Sequence, residues 1–151
     1  MYKPQSLRDH LSAMVPGLAT NPDKLLLFVE GGKLRTTGAG SLSFQYHYTL
    51  NVVLLDYAAD ADTVFVPMLM WLREHQLDLL LNHDKQADGF QFEAELLTHD
   101  TADLSIKLAL TERVIVKETK GGLEVRHVQE PKPVHHDTRP WEMFIRTDKV
   151  A

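Results

Sequence analysis

Leu7, Leu11, Met14, Val15 and Leu18 recur at intervals of three and four, a spacing that predicts a helix over Lys3 to Val15. Pro4 suits its first turn, where the missing N–H costs nothing, and Pro16-Gly17 ends it. In "NPDKLLLFVEGGKLRTT" the apolar run from Leu25 is too short for a helix. The Gly31-Gly32 pair offers the positive φ of a tight turn, so two short strands flanking a hairpin are expected. The next segment alternates strictly: Phe44, Tyr46, Tyr48, Leu50 and Val52 against Gln45, His47, Thr49 and Asn51. That period of two predicts a strand. Continued to Leu55 it would span roughly 40 Å, longer than usual, so a bend, a bulge or a protruding end is expected.

After the acidic turn "DYAADAD", residues Asp62 to His75 predict a second helix, capped by Asp60 or Asp62, with Pro67 kinking it or marking its first turn. From Val64 to Leu72 it has almost no polar face, and a helix apolar all round must be covered on every side. Either the chain buries it alone, or part of it, with Phe65, Met68, Trp71 and Leu72 as candidates, meets another subunit. Beyond it, Phe90, Phe92, Ala94 and Leu96 alternate. Leu104, Ile106, Leu108, Leu110, Val114 and Val116 then keep one parity, and Gly121-Gly122 turns the chain into "LEVRHV". Helix, strands, helix, strands, without repeated βα alternation, predicts an α+β domain over residues 1–130 with a largely antiparallel sheet and two main helices on one face.

Composition narrows the function classes. Apolar residues make up 44% and charged residues 25% of the 151, ordinary globular values. No apolar stretch approaches the ~20 residues of a membrane span. "MYKPQSLRDHL" has no apolar run after a basic one, so no signal peptide is expected and the expected compartment is the cytoplasm. With no cysteine, disulfides and thiolate chemistry are excluded. A net charge of -5 supplies no field for nucleic-acid binding.

Candidate chemistry is sparse. Three His-Asp pairs, His83-Asp84, His99-Asp100 and His136-Asp137, could serve a metal-dependent hydrolase, since both side chains are natural ligands. All three fall in predicted loops, where solvated turn residues are the stronger reading. "DYAADAD" lacks the glycine and terminal glutamate of a calcium loop, and the glycine pairs lack the Lys-Ser/Thr of a phosphate cradle. Glu74 and His75, as helix neighbours, point in different directions. No catalytic, cofactor-binding or metal residue emerges.

The ordered blocks "KPQSLR", "TNPDKLLLFVEGG", "SLSFQYHYTLNVVLLDY", "VPMLMWLREHQ", "LALTERVIVKE", "GGLEV" and "TRPWEMFI" resemble the tail completion protein R (GpR) family of temperate contractile-tailed bacteriophages and prophages. The resemblance runs over nearly the whole chain and implies a structural virion component, with no catalytic residues or cofactor to transfer. It implies action at the head-proximal end of the tail, stopping tube or sheath growth and permitting head-tail joining. The implied partners are tail tube and/or sheath proteins, head-completion or connector proteins, and further copies of the chain. Looser analogy with tail terminators of other phages, small α+β subunits in six-fold rings, implies a ring. The implied location is the host cytoplasm during assembly and then the virion tail. A monomeric cytoplasmic binding module is the remaining alternative.

Residues 131–151 read as a proline-spaced arm. Pro131 and Pro133 cannot easily continue a strand, yet the arm ends in an apolar cluster, Trp141, Met143, Phe144 and Ile145, that should not be left in water. Arg139, Pro140, Trp141 and Phe144 are therefore anchor candidates, docking on the chain's own domain or on a neighbour.

Overall fold

The structure is a computed structural model that describes residues 1–36, 38 and 40–131. Helix α1 (Lys3–Met14) and a single 3-10 turn at Pro22–Lys24 precede β1 (Leu25–Thr36) and β2 (Phe44–Tyr57). Helices α2 (Asp62–His75), α3 (Leu77–Leu81) and α4 (His83–Gly89) lead to β3 (Phe90–Leu96), β4 (Ala102–Thr119) and β5 (Gly122–Val128). The strands form one five-stranded antiparallel sheet in the order β1-β2-β4-β3, with β5 also on β4.

One face of the sheet carries the core. Leu50, Val52 and Leu54 of β2 and Leu104, Ile106 and Leu108 of β4 join Leu7 and Leu11 of α1 and Val64, Met68, Trp71 and Leu72 of α2 in a single buried cluster. The period-two residues of the strands and the three-four residues of the helices meet there, which makes the domain α+β. The other parity is polar, with Gln45, His47, Thr49, Lys107 and Arg113. The two helices are pinned by polar contacts: Trp71 donates from Nε1 to Ser6 Oγ at 3.1 Å, and His10 donates from Nε2 to the Pro67 carbonyl at 2.8 Å. Pro67 lies inside α2 and is buried, so it does not mark the first turn. The Asp60 carboxylate accepts from the Asp62 amide at 2.9 Å, satisfying one of the free donors where the helix starts.

Two sequence expectations change, and a third is met. Gly31-Gly32 does not turn a hairpin: β1 runs straight through it, and the register against β2 slips from Glu30↔Thr49 to Lys33↔His47. The extra residue makes a β-bulge, with Gly31 at φ +61, where an L side chain would be strained. Of the bend, bulge or protruding end expected of β2, the bulge is found: it lies between Leu54 and Tyr57, where Asp56 takes φ +51, and β1 and β4 flank the strand. "NHDKQADG" is not a loop but contains the short helix α4, capped by the Asn82 side chain, which accepts from the Asp84 amide.

The sheet also has an internal gap. At Arg113 and Val114 β4 pairs with both β2 and β5, so β5 shares the edge on which β3 pairs from Ala102 to Leu108. Between them, Ala109 to Glu112 have no strand partner on that side.

Candidate interaction surfaces

The gap in the β4 edge is closed by side chains. Thr111 donates its backbone N–H to Gln76 Oε1 at 3.1 Å, and its carbonyl accepts from Lys3 Nζ at 2.6 Å. Gln76 and Lys3 thus supply the acceptor and donor that a neighbouring strand would have supplied. Lys3 also donates to Gln76 Oε1 at 2.6 Å and to Glu130 at 3.1 Å, while Gln76 Nε2 reaches Thr111 Oγ1 and Asp78. At the next residue of the strand, Glu112 is buried with its carboxylate accepting from the Tyr2 amide at 2.8 Å and the Tyr48 hydroxyl at 2.6 Å; His127 Nδ1 stands 3.5 Å away. Burial, and then the bond to Glu112, push the Tyr48 hydroxyl well above its ordinary range. This junction ties the start of α1, the end of α2, β4 and the departure of the C-terminal segment at Glu130 into one polar unit.

His75 closes the junction on one side. Its ring stacks on Trp71 at 4.7 Å and meets the edge of Tyr2 at 6.5 Å. Burial, and then the nearby Lys3 charge, hold its pKa below the usual imidazole value. Below about pH 6.5 the unfolded chain therefore takes up a proton that the folded His75 resists. Stability from this group is full above pH 6.5 and falls as pH drops from there towards the lowered folded pKa. Urea midpoints are expected to fall between pH 7 and 5, and His75→Gln should flatten the slope; a slope unchanged by the substitution would contradict the assignment.

The interface candidates separate sharply. Met68, Trp71 and Leu72 are 0%, 2% and 0% exposed, buried by the chain's own sheet and α1. They leave no surface for a second subunit while the domain is folded. Phe65 differs: it is half-buried and packs on Phe90 and Phe92 of β3, with ring centroids 5.9 and 4.9 Å apart. Beside it β3 exposes Phe92 and Leu96, a shelf of apolar surface between α2 and the edge strand, and Val66 and Leu69 of α2 are exposed as well. The opposite edge strand, β1, exposes Leu26, Phe28, Val29 and Leu34. Arg139, Pro140, Trp141 and Phe144 lie outside the described residues.

Sequence reasoning passed over Lys3, Gln76, Glu112 and Glu130. Two had a visible signal: Lys3 sits four residues before Leu7 on the apolar stripe of α1, and Glu112 holds the buried parity of β4 between Leu110 and Val114. A charge on a buried parity requires a partner. The His-Asp pairs do not gather: His83-Asp84 opens α4 and His99-Asp100 lies in the β3–β4 loop. Among the described residues no three His, Asp or Glu side chains group as a metal site would need, and no helix is long and apolar enough to cross a membrane. His136-Asp137 is outside the described residues.

A profile of the family described as P2 phage tail completion protein R (GpR) matches residues 1–131. The chain belongs to the tail completion protein R family. Tail completion protein R of Escherichia phage P2 is 44% identical over 151 residues, covering 100% of this chain and 97% of that protein. The similarity thus continues past residue 131 into the proline-spaced segment. No solved structure matches the chain. Membership assigns a structural role in completing the phage tail, which entails contact with other tail components, and leaves the hydrolase and binding-module readings without support. The surfaces above are accordingly where contact chemistry has to be sought.

Proposed function

We propose that the chain acts at the head-proximal end of the tail, where copies of it end growth of the tube or sheath and present a surface to head-completion or connector proteins. It is made in the host cytoplasm and works by surface complementarity, without a cofactor. The observation that carries this reading is the pair of open sheet edges: among the described residues neither β1, which exposes Leu26 and Phe28, nor β3 has a partner strand on its outer side. A strand edge with unpaired backbone can pair with a strand of another chain. Two unlike edges on one subunit fit a heterologous, ring-closing contact, which agrees with a six-fold ring by analogy to other tail terminators.

Deletion of the gene from the phage or prophage tests the placement. Electron micrographs of the lysate should show DNA-filled heads beside unjoined tails, or tails of faulty length, with joining restored by the gene in trans. Normal virions from the deletion would refute the proposal. Heads and tails that join normally, alongside a defect confined to the distal end of the tail, would move the protein away from the head.

A further inference from the structure

We propose that the apolar shelf between α2 and β3 is the docking site of the chain's own C-terminal segment, Arg139 to Ile145. The shelf is an unfinished part of the core. Phe65 and Phe90 are half-covered, while Phe92 and Leu96, on the helix-bearing side of β3, are 56% and 80% exposed. Burying such side chains is favourable, so the shelf favours whatever apolar segment can reach it.

The geometry of the root selects the occupant. β5 and β3 share one edge of β4 and run in the same direction, so the chain leaving β5 at Val128 heads towards the start of β3. Lys3 holds Glu130 beside Thr111, so the root is fixed at that level of the sheet. Phe92 pairs opposite Ile106, about 17 Å further along β4, and Leu96 opposite Ala102, about 30 Å along. The chain from Pro131 to Trp141 can span up to about 33 Å. That length is enough for the cluster Trp141, Met143, Phe144 and Ile145 to reach the shelf of its own subunit, and the prolines at 131 and 133 offer no ladder donors on the way.

A tether of this length also sets a local concentration on the order of millimolar, which favours the same chain over a second copy in dilute solution. The Leu26 and Phe28 surface is a poorer match, because it lies on the far edge strand and on the other face.

Because the chain has no cysteine, paired substitutions report the contact cleanly. Full-length protein carrying Leu96→Cys with Phe144→Cys, treated at low micromolar concentration with a short bismaleimide, should give an intrachain product. The pair Leu26→Cys with Phe144→Cys should give about tenfold less. Adding Phe92→Asp, which puts a charge on the shelf, should cut the first product several-fold while a cooperative melting transition shows that the domain is still folded. Covalent dimers as the main product would place the segment on a neighbouring copy and overturn the proposal. Equal yields from the two pairs, or a yield indifferent to Phe92→Asp, would overturn it as well. The measurement uses isolated protein, so its outcome is independent of where on the tail the protein acts.

Discussion

Replacing Trp71 by alanine is expected to cost about 3–5 kcal/mol, lowering the melting temperature by roughly 10 °C or more. The indole fills the space between α1, α2 and the sheet, and it is the largest of the fully buried side chains. Its loss leaves a cavity and strands the Ser6 hydroxyl that Nε1 now reaches. Val66 and Leu69, on the outer stripe of the same helix, are 41% and 44% exposed, and serine at either should shift stability by about 0.5 kcal/mol or less. Urea or thermal melts of the three variants decide between core and contact surface. If Trp71→Ala melts with the parent protein, the indole is not where the structure puts it.

Lys3→Met should cost about 3 kcal/mol, although methionine preserves the stem and suits a helix as well as lysine does. The ammonium is 1% exposed and serves three acceptors at once: Gln76 Oε1, the Thr111 carbonyl and Glu130. Without it, two of these face a buried apolar tip, and the carbonyl in the β4 gap has no strand to turn to. Glu130→Gln should be much milder, because its side chain is 23% exposed and a neutral amide oxygen still accepts from Lys3. A double-mutant cycle between the two positions measures the pair alone. A Lys3→Met protein as stable as its parent would show that side chains are not what closes the gap.

The parts of the fold legible in the sequence were those with enough repeats to fix a period. β2 carries five alternating apolar positions, and the apolar run from Val64 to Leu72 is long enough to exclude a strand, so both elements were placed within a residue or two. Helices α3 and α4, with five and seven residues, complete too few turns to register as periodic. The glycine pairs show a different limit. Gly121-Gly122 and Gly31-Gly32 look alike locally, yet the first sits at a hairpin and the second inside a strand. What separates them is the partner: β2 is long enough to pair with everything from Leu25 to Thr36, so the second pair is held in register and only bulges. The polar junction is a third case. Lys3 and Glu112 broke the apolar pattern visibly, but their partners lie up to 127 positions away, and no local signal names them.

That separation governs the order in which the protein can be completed during synthesis. When Gly122 has just been added, every helix among the described residues and the whole of β4 have been synthesised, yet Lys3 still lacks Glu130 and the β4 edge that β5 will cover is bare. Contacts of such long range form late and make folding slow. A chain stopped before Glu130 therefore keeps the core contacts of α1 but leaves the Lys3 ammonium at its first turn without its carboxylate.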